Sequence, residues 1–183
     1  MCNMKIYVFL ADGFEDVEAL AFVDVCRRAN LDTTTVSVND IQLVTSAHGV
    51  GVVADRKFDE CDFNDATLLY LPGGMPGATN LDSHEGLRNV IQAHYNRGGL
   101  LAAICAAPLV YGNMGLLQGV KATCYPGFED FLVGAHTTGE LVVRDGQFFF
   151  GKGPGAALAL SYAIVGELCG EATADAIRTG MIA

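Results

Sequence analysis

A cysteine lies where a buried strand is predicted to turn sharply into a helix. Cys105 sits in the run Ala103-Ile104-Cys105-Ala106-Ala107, and the alanines on either side allow the strand and the helix to approach closely. A thiol in such a nucleophile elbow lies beside unpaired backbone amides and the positive end of the helix dipole, which both stabilise a thiolate. We therefore expect a reactive sulfur with a lowered pKa. Inert packing, which is common for a buried cysteine, is the alternative.

A glycine pair follows the preceding apolar strand. Gly73 and Gly74 come directly after Pro72, and glycines at such a place let the backbone turn and present N–H groups to a ligand. The turn would form half of an oxyanion hole if it lies beside the strand that ends at Cys105. An ordinary tight turn is the alternative interpretation, because glycine and proline favour turns in any case.

Four carboxylates crowd the end of the first predicted strand. Most of the acidic residues in segment 12–18 suit the start of a helix and indicate capping. Glu18 is one turn into the helix and next to Ala19, so we expect it to point inward over the carboxyl edge of the sheet, where burial raises the pKa of a carboxyl group. A protonated Glu18 would donate a hydrogen bond to a Cys105 thiolate, whereas an ionised Glu18 would repel it.

Patterns for cofactors and metals are weak in this sequence. Segment 151–156 matches the G-x-G-x-x-A form of a dinucleotide loop. A dinucleotide site also needs a later strand with an acidic residue, and only helices are predicted there, so a helix-start turn is preferred. Four histidines and six cysteines are scattered without a C-x-x-C pair or zinc spacing. The sequence therefore predicts no cofactor and no metal site, and any histidine partner of Cys105 must arrive through folding.

The composition indicates a single folded domain over residues 1–183. Hydrophobic residues make up 51% of the chain and charged residues 17%, which supplies a core and argues against disorder. The formal net charge of −10 repels nucleic acid and anionic lipid surfaces. The most apolar run, residues 100–111, contains Pro108 and is too short to span a bilayer. No export signal is visible, so we expect a cytoplasmic protein with reduced thiols.

Short apolar strands alternate with helices along the chain. Several strands are apolar throughout, which is typical of a parallel sheet covered by helices on both faces. In such folds ligands bind at the carboxyl ends of the strands. Strands are predicted at 5–11, 33–38, 42–44, 50–53, 68–71, 100–104, 122–124, 141–144 and 147–150, and helices at 17–29, 86–96, from 106, 155–168 and 172–179.

Four of these features occur together in an order and spacing that is similar to a known family. They are Glu18, the Pro72-Gly73-Gly74 turn, the elbow at residues 102–106 and Gly153-Pro154-Gly155. Over nearly its whole length the chain resembles the DJ-1/ThiJ/PfpI family, in the DJ-1-like subgroup of the class I glutamine amidotransferase-like superfamily. The resemblance implies a flavodoxin-like three-layer α/β/α sandwich with a mainly parallel central sheet, a homodimer, a strained backbone at Cys105 and a protonated Glu18.

The resemblance also implies roles for further residues. The oxyanion amides correspond to those of Gly74 and Ala106, while Gly73 and Tyr125 are further candidates for oxyanion or substrate binding. Positions that in relatives lie near the site or the dimer contact are occupied here by Arg27, Arg28 and His48.

Two positions depart from relatives of this family. Tyr125 stands where several relatives have a histidine, and Ala106 stands where protease-like relatives have a histidine directly after the cysteine. Without either histidine there is no obvious general base to activate water for peptide hydrolysis. An intracellular protease is therefore disfavoured.

The resemblance implies chemistry on reactive dicarbonyls. Cys105 would add to the aldehyde of methylglyoxal or act on glycated proteins, in a cofactor-independent glyoxalase or deglycase reaction that gives lactate from methylglyoxal. The alternative is a redox sensor or chaperone that works through oxidation of Cys105. A role in thiazole biosynthesis finds no phosphate loop or metal cluster to support it. A packed Cys105 without a catalytic role is the remaining possibility.

Overall fold

The computed structural model describes residues 4–183. A seven-stranded sheet lies at its centre, and helices cover both of its faces. The strands of this sheet are β1 (Lys5–Leu10), β2 (Asp32–Ser37), β5 (Arg56–Lys57), β6 (Ala66–Leu71), β7 (Leu100–Ile104), β10 (Val142–Asp145) and β11 (Phe148–Gly151). Two small pairs lie outside it, formed by β3 (Leu43–Thr45) with β4 (Gly51–Val53) and by β8 (Lys121–Ala122) with β9 (His136–Thr137).

The helices form two layers. One layer consists of α1 (Asp16–Arg28), α5 (Ala157–Cys169) and α6 (Glu171–Gly180), which pack against one another. The other consists of α2 (Gly77–Ser83), α3 (Glu85–Asn96) and α4 (Pro108–Asn113), with α2 contacting both of its neighbours. Because each face of the sheet is covered, the central strands are apolar on both sides, as the sequence indicates.

The strand order is β10-β11-β7-β6-β1-β2-β5, and every neighbouring pair is parallel except β10 with β11. The antiparallel pair is a hairpin across Asp145-Gly146, formed by the strands predicted at 141–144 and 147–150. Strands β1, β6 and β7 are adjacent, so their carboxyl ends meet at one edge of the sheet. The segments that follow these strands carry Glu18, Gly73 and Cys105. The fold thus brings the three candidate features together.

Most elements agree with the sequence prediction, but the two-residue strands β5 and β9 are additional to it, and three further elements differ. The strand predicted at 122–124 is shifted to Lys121–Ala122, because Thr123 and Cys124 lie outside the pairing with β9. The helix predicted from Ala106 begins at Pro108, because the residues after Cys105 form a turn first. Helix α2 was not predicted.

The length and the apolar character of the described helices bear on whether they could cross a membrane. Within residues 4–183, none has the combination of length and apolar character that crossing a bilayer requires.

Candidate active site at the carboxyl edge of the sheet

Cys105 has a backbone conformation that few residues other than glycine adopt. Its φ angle is +62°, in the left-handed region that is strained for a side chain such as cysteine. Two backbone hydrogen bonds hold it there: the Cys105 amide donates to the Gly151 carbonyl at 2.9 Å, and the Tyr125 amide donates to the Cys105 carbonyl at 2.9 Å. The strained elbow that the resemblance implied is therefore present.

Glu18 is completely buried beside this elbow, with 0% of its surface exposed. Its Oε2 accepts a hydrogen bond from the Gly73 amide at 2.8 Å, and its other oxygen, Oε1, is buried without a hydrogen-bond partner. Burial raises the pKa of Glu18 to about 7, and the nearby charge of Glu15 adds to the rise, while the Gly73 amide and the Cys105 thiol oppose it. The expected inward orientation and raised pKa of Glu18 are confirmed.

Gly73 separates the two reactive side chains. A Cβ atom at this position would lie 2.6 Å from the Cβ of Cys105 and 2.7 Å from Oε2 of Glu18, so only glycine fits. Its carbonyl also accepts a hydrogen bond from the Glu15 amide at 2.9 Å. The turn is therefore bonded to the start of α1 on one side and touches the elbow on the other.

Two backbone amides face the sulfur of Cys105. The amides of Gly74 and Ala106 both donate toward it. Gly74 has a φ angle of +88°, and a Cβ there would lie 2.4 Å from the Glu15 nitrogen, so glycine is needed for this amide to take its place. Such a pair of donors can stabilise a thiolate. It can also stabilise an oxyanion that forms when the sulfur adds to a carbonyl carbon.

The expected lowering of the Cys105 pKa is wrong. Burial and the adjacent Glu18 carboxylate together raise the pKa of the thiol to about 12, although the amides of Gly74 and Ala106 lower it. Burial outweighs the amides because only 8% of the surface of Cys105 is exposed. The short helix α4 begins three residues after Cys105, too late for its first amides to surround the sulfur. The thiol therefore needs a base to become a nucleophile, and Glu18 lies beside it.

Tyr125 lies at the open side of the elbow. Its side chain is 47% exposed, and its backbone is bonded to Cys105. Its ring lines a groove of about 240 Å³ together with Pro126, Leu141, Lys152 and Pro154. Cys105 does not line this groove, and the backbone hydrogen bond of Tyr125 connects the two.

The segment that resembles a dinucleotide loop forms part of the same region. It runs from the end of β11 into a 3₁₀ turn at Pro154–Ala156 and then into α5. In the described part of the chain, only helices α5 and α6 follow it, so the acidic strand of a dinucleotide site is missing there. The preferred interpretation as a helix-start turn is confirmed.

The two arginines are not brought to the sulfur. Arg27 pairs with Asp55, and Arg28 pairs with Asp24 on the same helix. Both lie in the last turn of α1, roughly 14–15 Å along the helix axis from Glu18 at about 1.5 Å per residue. Their part in a dimer contact stays a prediction.

His48 lies near the start of α1. Its Nδ1 is 2.7 Å from Oδ2 of Asp16 and 3.6 Å from Oε2 of Glu15. The pKa of His48 is raised mainly by its hydrogen bond to Asp16 and also by the charge of Glu15. These three side chains also offer ligand atoms within 4.8 Å of one another, a spacing that a metal ion could use. Two of the three are acidic residues of the segment interpreted above mainly as capping.

Sequence reasoning missed Tyr70, which positions Glu18. The Tyr70 hydroxyl donates to the backbone carbonyl of Glu18 at 2.9 Å, and its ring stacks on Phe22 at 3.8 Å between ring centroids. The signal in the sequence is a tyrosine inside an otherwise apolar strand, because a buried phenol requires a hydrogen-bond partner.

The chain was compared with known proteins. The sequence pattern of the DJ-1/PfpI family matches residues 4–167. The chain is 37% identical over 169 residues to Protein DJ-1 homolog B of Arabidopsis thaliana. The matched segment covers 91% of this chain and 39% of the relative. It spans less than half the length of the Arabidopsis relatives that it matches. It is also 28% identical to a protein named deglycase from Pyrococcus abyssi, over 83% of this chain and 92% of that protein.

A solved structure gives the same assignment. The structure described as Toxoplasma gondii DJ-1, oxidized, is 30% identical and has a TM-score of 0.94 over 98% of both chains. This similarity confirms the flavodoxin-like sandwich that the resemblance implied. The match in sequence pattern covers the strands and helices that carry Glu18, Gly73 and Cys105. The chain belongs to the DJ-1/PfpI family.

Proposed function

We propose that this protein converts reactive 2-oxoaldehydes such as methylglyoxal to 2-hydroxy acids, either free or as protein adducts, without a cofactor. The observation that carries the proposal is the buried Oε1 of Glu18, which has no hydrogen-bond partner and belongs to the carboxyl group beside the Cys105 thiol. An unsatisfied buried oxygen is costly, and it is available to receive the thiol proton. The Pyrococcus relative that is named a deglycase supports the same class of chemistry.

The first step is addition of sulfur to the aldehyde. The Cys105 thiol gives its proton to the Glu18 carboxylate as the sulfur–carbon bond forms, and the aldehyde oxygen becomes an oxyanion. The amides of Gly74 and Ala106 already point toward the sulfur, so they lie close to an oxygen on the attached carbon. Glu18 then passes this proton to the oxyanion, which gives a hemithioacetal and restores the Glu18 carboxylate.

The second step moves hydrogen between neighbouring carbons. Glu18 removes the proton of the former aldehyde carbon and returns it to the neighbouring ketone carbon, while the hydroxyl proton of the first carbon moves to the ketone oxygen. The first carbon is thereby oxidised and the second is reduced by the same two electrons. The product is a 2-hydroxy thioester on Cys105. Water then cleaves the thioester, releasing the 2-hydroxy acid and the thiol. The atoms balance as one 2-oxoaldehyde plus one water.

Peptide hydrolysis fits this site less well. The position after the cysteine is Ala106, and the ring at the open side belongs to Tyr125, so neither position carries the imidazole of a histidine. The histidines His84 and His94 are bonded within or beside α3, to the Leu87 amide and the Leu100 carbonyl. A protease reaction has no equivalent proton carrier at the leaving group.

A redox function is the second candidate, and the two amides at the sulfur favour it. Oxygens added to Cys105 by peroxide would accept hydrogen bonds from Gly74 and Ala106, and Glu18 would donate a third bond when protonated. A relative solved in an oxidised form supports this candidate. The raised pKa of the thiol slows its oxidation, because the thiolate is the reactive form.

We also propose a homodimer in the cytoplasm. Exposed apolar side chains lie on α1 and on the β3–β4 hairpin, namely Val17, Leu20, Val50 and Val53, and such a patch favours an interface with a second copy. Cys26, Cys61, Cys105 and Cys124 are free thiols, which agrees with a reducing compartment.

The test is the loss of methylglyoxal with lactate as the detected product, in buffer without thiols. We expect Cys105→Ser to abolish turnover and Glu18→Gln to reduce it by about 10²-fold or more, as removal of a general base does. Cys124→Ser is the matched control, since Cys124 is also buried. Lactate formation by Cys105→Ser at the wild-type rate would overturn the mechanism. Selective gain of two oxygens at Cys105 under graded peroxide, with no turnover by the wild type, would favour the redox function.

A further inference from the structure

The groove beside the elbow has rigid walls that are bonded to the reactive residue. Tyr125, on one wall, donates its amide hydrogen to the carbonyl of Cys105. The opposite wall continues from Gly151, whose carbonyl accepts the amide hydrogen of Cys105. Leu141 is fixed over the groove because its carbonyl accepts a hydrogen bond from the Lys152 amide at 2.9 Å. Both walls of the groove are therefore attached to the backbone of the residue that carries the reactive sulfur.

The size of the groove exceeds what methylglyoxal needs. Its volume is about 240 Å³, whereas a cavity of ~150 Å³ accommodates benzene. The methyl group of methylglyoxal would leave most of this space to water. A larger substituent would bury apolar surface there, at a gain of roughly 25 cal/mol for each Å² removed from water.

The lining favours a flat, aromatic occupant. The Tyr125 ring and the rings of Pro126 and Pro154 present apolar faces, and aromatic rings pack well against such faces. The ammonium group of Lys152, which donates to the Gly139 carbonyl at 3.0 Å, adds a positive charge beside the groove. A cation near the face of an aromatic ring attracts it.

We propose that this groove binds the substituent of the 2-oxoaldehyde, so that the protein prefers aryl-substituted glyoxals to methylglyoxal. The inference rests on the proposed function and names the substrate class for the same cysteine. Tyr125 and Leu141 are then residues that determine specificity. In this role Tyr125 supplies surface and not acid–base chemistry.

One position allows the groove to be filled without disturbing the fold. Gly155 lines the groove, is exposed, and a Cβ atom there would have no heavy atom within 4 Å. Gly155→Leu is therefore expected to fold and to occupy the space of the substituent. Gly180→Leu is the matched control, because Gly180 is also exposed with nothing within 4 Å of its Cβ and lies at the end of α6, outside the groove.

The first experiment compares kcat/KM for phenylglyoxal and methylglyoxal. We expect the wild type to prefer phenylglyoxal by about tenfold or more, which is the discrimination a few buried carbons provide. Gly155→Leu should lose this preference, measured as the ratio of the two kcat/KM values, and Gly180→Leu should keep it. Equal activity of the wild type on both substrates, or an equal fall for both in Gly155→Leu, would overturn the inference.

The second experiment measures binding without turnover. Calorimetry on Cys105→Ser would compare mandelate with lactate, which carry the same charge and differ in the substituent. If mandelate binds more tightly than lactate and Gly155→Leu removes this difference, the proposed role of the groove is supported. This holds even if the wild type turns over neither aldehyde, because that second result would overturn only the proposed reaction. Turnover of both aldehydes without preferential mandelate binding would overturn the groove alone. Failure of mandelate to bind because a second copy covers the groove would also count against it.

Discussion

Glu18 and Cys105 flank Gly73 so closely that one added methyl group on Gly73 would collide with both side chains. The missing Cβ would lie 2.7 Å from Oε2 of Glu18 and 2.6 Å from Cβ of Cys105. The proton carrier and the nucleophile are thus held together by a backbone with no side chain between them.

Gly73→Ala is expected to damage both stability and activity. Relieving the clash requires Cys105 or Glu18 to move, and overpacking of this kind costs about 1–3 kcal/mol. A shift of about 1 Å at the site lowers the rate by about 10²-fold. Chemical denaturation and methylglyoxal turnover measure the two effects. Gly180→Ala, at an open position at the end of α6, should change neither, and a fully active Gly73→Ala would contradict this account of the site.

Removing the charge of Glu18 should make Cys105 more acidic. The Glu18 carboxylate is one cause of the raised thiol pKa of about 12, so Glu18→Gln is expected to lower that pKa. The thiolate absorbance of Cys105, taken as the difference from Cys105→Ser, should appear at lower pH in Glu18→Gln than in Glu18-containing protein. A wild-type thiolate already formed below about pH 7 would show instead that the shared proton rests on Glu18.

The buried Glu18 carboxyl should destabilise the protein at neutral and alkaline pH. Its pKa rises from 4.5 to about 7 on folding, so the folded state holds a proton that the unfolded chain releases between these values. The cost is absent below 4.5, grows as pH rises, and is complete above about 7. Glu18→Gln should therefore stabilise the protein by up to roughly 3 kcal/mol near pH 8 and much less near pH 4. Urea unfolding at both pH values checks this, and an equal gain at both would contradict it.

His94 should make the fold sensitive to acid. It is fully buried, its Nε2 contacts the Leu100 carbonyl at 2.9 Å, and its Nδ1 contacts the Arg97 guanidinium at 2.9 Å. Since the guanidinium can only donate, Nδ1 accepts, and the ring is neutral with its hydrogen on Nε2. Burial lowers the pKa of His94 from 6.5 to about 4.

This lowered pKa gives stability that is present above 6.5 and is lost as pH falls toward 4, because the unfolded chain binds the proton first. His94→Gln removes the titration while keeping polar atoms. We expect the melting temperature of His94→Gln to fall less steeply than that of the wild type between about pH 6.5 and 4. Parallel pH profiles for the two proteins would show that His94 does not carry this effect.

Features with strong local patterns could be predicted from the sequence. The strand Leu100–Ile104 has the predicted bounds, because it is a continuous apolar run with turn residues before it. The inward orientation of Glu18 follows from its position one turn into an amphipathic helix. Helix α2 was missed since Gly77–Ser83 begins with glycine and includes Thr79, Asn80 and Asp82, which are weak helix formers.

The electrostatics of the sulfur and the shape of the groove could not be predicted in this way. The thiol pKa depends on the burial of Cys105 and on the charge of Glu18, which is 87 residues earlier in the chain. The groove joins Tyr125 and Pro126 to residues near 141 and 152, across loops with little regular structure. Both properties arise from packing between distant segments, which no local pattern records.

The left-handed backbone at position 105 makes the residue that supplies reactivity different from the residue that would best stabilise the fold. Glycine and asparagine occupy such a conformation at lower cost than cysteine, so Cys105→Asn should relieve strain at the position where φ is +62° while removing the nucleophile. Random substitution followed by selection for heat resistance alone should therefore drive this residue away from cysteine.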